Sequence, residues 1–411
     1  MATPRTLPTS SAVGGLGRWQ AGLMTAFAGT GVGVATWVTR TPAIRDALGA
    51  TTAEMGLVIA GLSVGSILGI SLGGLLVARR GARFVVVGGM TAIVAGMVVI
   101  AVGAATGQSL VVATGLAFFG YGMGSGEIGN NVSGVELEVS VGRSVVPTLH
   151  GCFSLGTVVG ALAGLVANHV ALPVAAHLGL AAALVGAGTV WLSRQVPAGT
   201  GRVERGAPGA DDQPAGEPEP RFAWLDARLV GLGVIILGMA LAEGSASDWL
   251  PLIVVDGYGS TAVLGSVIYA FFGAAMALGR LSGGRLIDRF GRAPVMRTSS
   301  LVAAAGIGVV VVAPDLVVAA AGVLLWGLGA SLGFPVALSA AGDDPRHAAR
   351  RATAVATAGY AAFLVGPPVL GLLGEHVGLR DAMVVVLVAV LATTFAAGAV
   401  RPRPAPVEPL G

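Results

Sequence analysis

The chain has one cysteine, no lysine and little charge of either sign. With Cys152 as the only thiol, an intrachain disulfide and a cysteine-cluster metal site are both excluded. Every basic residue is arginine, and the missing lysine is read as codon bias without functional content. Charged residues make up only 11% of 411 positions while 54% are hydrophobic, and mean hydropathy is +0.83. That balance lies far outside a soluble domain of this length and belongs in a bilayer. Enzyme signals are missing too: there is no zinc-type spacing of His and acid, no G-x-S-x-G and no phosphate loop in the right context. The glycine run Gly120 to Gly126 neither follows a strand nor opens a soluble helix, so it reads as helix packing. An enzyme, a cofactor and a metal are therefore not expected.

What is present is a series of apolar segments, each about 20 residues long, the length that crosses a bilayer as a helix. They fall near Trp19 to Val38, Met55 to Ala78, Phe84 to Ala105, Leu110 to Val132, Val146 to Val170 and Pro173 to Leu192. Six more lie near Leu229 to Leu250, Thr261 to Ile287, Val295 to Ala313, Leu316 to Leu338, Ala352 to Leu373 and Ala382 to Val400. The expected fold is an all-α membrane protein of twelve helices in two pseudo-symmetric six-helix bundles, 1–194 and 227–411. Between them, 195–226 is rich in Pro, Gly, Glu, Asp and Arg and reads as a flexible linker. The apolar segment after Arg18 is followed by eleven others and is expected to be retained, not cleaved.

Charge sets the orientation, because short cytoplasmic loops collect arginine. With both termini cytoplasmic, only Arg40, Arg45 and Arg380 fall outside, while Arg143, Arg194, Arg228, Arg297, Arg350, Arg351, Arg401 and Arg403 lie inside or at the inner boundary. A net charge of +3 invites a nucleic-acid partner, but arginines in turns between apolar segments are better explained by topology. The expected setting is the plasma membrane, as a monomer in lipid with a small-molecule substrate.

One short stretch occurs twice, as GGLLVARRGARF from Gly73 to Phe84 and GGRLIDRFGRAP from Gly283 to Pro294. Glycines permit a tight turn between two helices, and arginines hold that turn out of hydrocarbon. The halves echo each other elsewhere, FGYGMG at 119–124 against WGLGASLG at 326–333, and Asn168 to Leu172 against Glu375 to Leu379. Such duplication builds two repeats around a midplane site, with alternating access as the expected motion.

The repeated loop resembles the signature turn of major facilitator superfamily transporters, G-x-x-x-D-R-x-G-R. The second copy matches through Gly284, Asp288, Arg289, Gly291 and Arg292; the first keeps Gly74, Arg79, Gly81 and Arg83 but has Ala78 for the acid and Ala82 where Arg is common. In the family that acid joins a charge relay steadying one conformation, so the resemblance implies such a relay for the second loop. WVTRTP, EIGNN with Glu138, LHGCFSLG, AEGSASDW and GYAAFLVGPPVLG together resemble bacterial inner-membrane proteins near the fucose permeases. That resemblance implies proton coupling at Glu127, which matches their fourth-helix acid, while their first-helix acid has no counterpart in Trp19 to Val38. Drug-efflux antiporters of the same superfamily usually carry G-x-x-x-G-P-x-x-G on the fifth helix; SLGTVVGALAG has the glycine spacing without the proline.

Candidate site residues follow from charge in apolar segments. A carboxylate at the bilayer centre costs about 2.5–3.5 kcal/mol and needs a partner, water or a proton. Glu127 and Glu243 therefore read either as proton carriers or as structural partners of an Arg or a helix end; Asp248, near the end of its helix, is a further acid or an interfacial one. Asn130 and Asn131, one turn after Glu127, could bind solute hydroxyls or hold the acid. His150, with Ser154 one turn on, reads as a proton relay or a solvated helix end. Arg40 reads as a headgroup contact beside Trp37 in the aromatic belt, or as an anion contact in the cavity. Tyr121, Tyr269, Trp326 and Tyr360 could stack on a solute or simply pack. Glycines at 156, 160 and 164 should bring the fifth helix against a neighbour, and Gly366, Pro367 and Pro368 should kink the eleventh. The expected activity is proton-gradient-driven secondary transport of a sugar-like or other polar solute. The alternatives are proton-coupled efflux of drugs or secondary metabolites and, more remotely, a non-transporting sensor.

Overall fold

A computed structural model describes residues 10–142, 145–202, 226–343 and 348–402. Within them the chain is helical, with α1 Ser10–Val38, α2 Thr41–Leu48, α3 Thr52–Arg80, α4 Ala82–Thr106, α5 Ser109–Val141, α6 Val146–His169 and α7 Val174–Leu192. The second half has α8 Ala227–Leu252, α9 Ala262–Phe290, α10 Arg292–Val312, α11 Leu316–Ala330, α12 Gly333–Ala341, α13 Ala348–Val377 and α14 Leu379–Ala396. Most of the expected linker, 203–225, lies outside the described residues, as do Arg143 and Arg403.

Among the described residues, eleven helices are long and apolar enough to cross a membrane, α11 and α12 counting as one span. The remaining long one, α5, has 33 residues, but Ser125, Glu127, Asn130, Asn131 and its glycines dilute its hydropathy. It also runs nine residues past Val132, the end expected from the sequence. The first inter-helix loop contains an unexpected helix, α2, started with Pro42 in its first turn and ended by Gly49 in the left-handed region. Helix ends are satisfied locally. Asp226 and Thr261 accept backbone N–H groups of α8 and α9, while Thr51 and Glu54 form a reciprocal capping box on α3.

The chain divides into two compact units, one of Met1–Gly49 with Gly61–Ala210 and another of Ala50–Ala60 with Asp211–Gly411. Both use one packing plan. In the first, α4 packs on α5 and α7, and α1 on α6 and α7; in the second, α10 packs on α11 and α14, and α8 on α13 and α14. Each helix thus meets the counterpart of the same neighbour, as a duplicated repeat requires. The seam between α1 and α6 shows why glycine is abundant: a Cβ on Gly31 would run into the Phe153 carbonyl oxygen, and one on Gly156 into that of Ala28. The neighbour of the glycine-spaced fifth span is therefore α1, held backbone to backbone. Away from such seams, Leu110, Val139, Val317 and Phe395 are more than four-fifths exposed, an outward apolar surface that suits hydrocarbon.

The two Arg-Gly loops have the same backbone turn. Gly81 sits at φ 87°, ψ 159° and Gly291 at φ 82°, ψ 160°, a region that excludes ordinary side chains. In the first unit the loop carries an added layer. The Ala82 N–H donates to the Thr200 carbonyl (2.7 Å), the Gly201 N–H donates to Glu136 Oε2 (3.0 Å), and Val196 is buried among Trp19, Leu23 and Leu149. Residues 196–201, at the start of the expected linker, form a strap laid over the loop.

Candidate functional site

Charge inside the second unit is concentrated on α8 and α9. Arg280 Nη2 donates to Glu243 Oε1 at 2.8 Å, with about a third of each side chain still exposed. Both residues lie in spans, where neither charge is cheap alone and each supplies what the other needs. Tyr269, 3% exposed on α9, lies within hydrogen-bonding reach of Ser247, with Glu243 and Asp248 near enough to act on its hydroxyl electrostatically. Asp248 is buried at the edge of a narrow crevice between α8 and α13, lined by Leu241, Ser245, Phe363 and Pro367. So the structure brings together Glu243, Asp248 and Tyr269 of the expected residues and adds Arg280 and Ser247. Arg280 was legible as a base within an apolar segment, had bases been weighed as acids were.

In the first unit, α5 and α6 bring Asn131 and His150 together, with His150 Nε2 and Asn131 Oδ1 at 3.2 Å and the Phe27 ring 4.9 Å from the imidazole. Trp19 Nε1 donates to Ser133 Oγ at 2.9 Å, fixing α1 on α5. Asn130 points elsewhere: it is buried, and its Oδ1 has no partner among the described residues. Glu127 is exposed on α5 and Tyr121 is half-buried one and a half turns before it. The amide and carboxyl functions of α5 and the imidazole of α6 are the kinds of group that hydroxyl-bearing solutes use.

Three of the expected residues take contacts that the structure defines. Arg40 is 4% exposed and not at a headgroup: it donates to Asn168 Oδ1 and to the Leu172 carbonyl, both at 2.5 Å, tying the end of α1 to the α6–α7 turn. Burial pulls its pKa below the usual arginine value. Trp326 is fully buried and meets Phe272 edge to face, an interior packing contact and no open platform for a solute. In the second Arg-Gly loop, the acid that engages Arg292 is not Asp288, which is exposed and in no ion pair among the described residues. Asp343, at the end of α12, accepts from Arg292 Nη1 (2.7 Å) and Arg228 Nη2 (2.8 Å). Sequence reasoning passed over Asp343 because it lies outside the repeated motif. Of the other loop residues, Arg79 and Arg289 are exposed, Arg83 is half-buried, and neither Gly74 nor Gly284 has a neighbour close to where a Cβ would stand. Tyr360 is half-buried on α13.

Comparison with known proteins bears on this arrangement. The sequence profile of the Major Facilitator Superfamily matches residues 21–367 and again 284–410. An uncharacterized MFS-type transporter of Yersinia pestis is 30% identical over 379 residues, 91% of this chain and 93% of that protein. Among solved structures, a variant of the nucleoside transporter NupG superposes with TM-score 0.70 at 15% identity, over 93% of this chain and 98% of that one. A variant of the E. coli fucose:proton symporter superposes with TM-score 0.63 at 16% identity, over 92% and 97%.

Proposed function

The chain belongs to the Major Facilitator Superfamily, whose fold serves secondary transport of a solute, and we propose that this member is a proton-coupled carrier of a small polar solute in the plasma membrane. The observation that carries the reading is the Glu243–Arg280 pair, an ion pair kept inside apolar helices and still partly open. A polar solute can compete for either member, and exchange of partners during the cycle gives charge kept there a use. Glu127, with Asn131 and His150, is the polar group proposed to contribute from the first repeat. The bundles 1–194 and 227–411 are the proposed moving bodies of alternating access. Two structurally similar proteins, the fucose:proton and D-xylose–proton symporters, support a proton-driven polar solute, though at 16% identity each shares the fold alone.

The test is a thermal-shift screen of the purified protein in detergent, with neutral and acidic sugars as one panel and apolar cations as the other. A ligand of the folded state stabilises it by about 2.7 kcal/mol at 100 times its dissociation constant. A sugar or sugar acid that stabilises the protein should then accumulate in proteoliposomes under an inward proton gradient. Glu127→Gln and Glu243→Gln should each abolish that accumulation. Stabilisation by apolar cations alone would replace the reading with proton-coupled efflux.

A further inference from the structure

The two membrane acids of α8 differ in one respect: Glu243 has a cation and Asp248 does not. Glu243 is neutralised by Arg280 at 2.8 Å. Asp248, 6% exposed, has no hydrogen bond or ion pair among the described residues. Its surroundings offer none. On its own helix, Leu241 and Gly244 are apolar and the Ser245 hydroxyl is spent on the Leu241 carbonyl at 2.6 Å. Across the crevice, Ala362, Phe363, Gly366, Pro367 and Leu370 of α13 carry no titratable group. The titratable group it reaches electrostatically is Tyr269 of α9, on which Glu243, balanced by Arg280, also acts. Little of Asp248 is open to solvent.

An isolated carboxylate in such a place is expensive, and of the neutralising cations only a proton needs no room. We propose that Asp248 is the group that holds the coupling proton. The proposal rests on the transport reading above and places the proton five residues from the pair that answers the solute. With the proton on Asp248, Glu243, Arg280 and Asp248 sum to zero charge; without it they sum to −1. Tyr269, touched electrostatically by both acids, is the side chain through which one state is felt by the other. The neutral state is the one that can move through the membrane at low electrostatic cost, so release from Asp248 and rearrangement at Glu243–Arg280 are tied together.

The experiment is infrared spectroscopy of the purified full chain in lipid at pH 7, where exposed carboxyls, with pKa values near 4, are ionised. Wild type should show the carbonyl stretch of a protonated carboxyl, shifted on exchange into deuterium oxide. Asp248→Asn should lose that band, Asp248→Glu should keep it at a displaced frequency, and Glu243→Gln and Glu127→Gln should retain it unchanged in amplitude. Absence of the band in wild type, or its survival in Asp248→Asn, overturns the proposal. The readout needs no solute, so a failed ligand screen would count against the transport reading and leave this result standing, and the reverse also holds.

Discussion

At the scale of residues, the second unit shows how a membrane protein keeps charge: in pairs, each member on its own helix. If the Glu243–Arg280 bridge joins α8 to α9, removing one member should cost more than removing both. Arg280→Gln leaves Glu243 without a cation and Glu243→Gln leaves Arg280 without an anion, whereas the double variant leaves two neutral amides. Because about a third of each side chain remains exposed, the expected coupling is modest, about 1 kcal/mol. Thermal unfolding in detergent of the four proteins gives it, and additive single effects would show that the bridge joins nothing. The acids of this cluster were legible in the sequence because a carboxylate in an apolar run is conspicuous. Their partners were not: whether Arg280 meets Glu243 depends on the rotation of α9 against α8, which neither segment encodes alone. Arg40 failed as a headgroup contact for a related reason, since its acceptors lie 128 and 132 residues away.

At the scale of elements, hydropathy located the spans because burial in lipid demands about 20 apolar residues whatever the packing. It misjudged whatever continues a helix on polar residues, such as the last two turns of α5, or starts one in a loop, such as α2. The strap over the first Arg-Gly loop was hidden most completely. Residues 196–201 have a linker's composition, and only the fold supplies the acceptor on Glu136 and the orphan N–H of Ala82 at the start of α4. This loop is the copy with Ala78 in place of the acid, so the strap contributes a tether where the motif lacks one. Gly201 is its fixed point: φ is 70°, and a Cβ would lie 2.6 Å from Val132 Cγ1. Gly201→Val should therefore release the strap at a cost of about 1–3 kcal/mol from backbone strain alone. In a Cys152→Ser background, a cysteine at the buried position Thr200 should label slowly with a maleimide and become rapidly reactive once Gly201→Val is added. Equal rates would mean that the strap does not depend on this glycine.

At the scale of the whole molecule, the membrane orientation of the chain is a proposal that the two Arg-Gly loops support. Gly81 and Gly291 turn the chain identically, and each loop follows the second span of its own unit. Arginine in short loops favours the cytoplasm. The three arginines at the opposite ends of the spans are each occupied by structure. Arg40 is buried against Asn168, Arg45 pairs with Asp46 at 2.9 Å, and Arg380 donates to the Val311 carbonyl and stacks over Tyr258. Local contacts thus account for these three, while among the described residues the exposed Arg79, Arg80, Arg285 and Arg289 have no such engagement beyond ring contacts of Arg80 and Arg289 with Phe84 and Phe290. The expected orientation places both loops and the chain past Val400 in the cytoplasm. A fluorescent protein fused after Val400 should fluoresce, and alkaline phosphatase at the same point should be inactive, because it matures only on the far side. Fused after Gln108, in the turn between α4 and α5, the phosphatase should be active. Activity after Val400 with none after Gln108 would invert the orientation, and with it the direction in which a proton reaching Asp248 must travel.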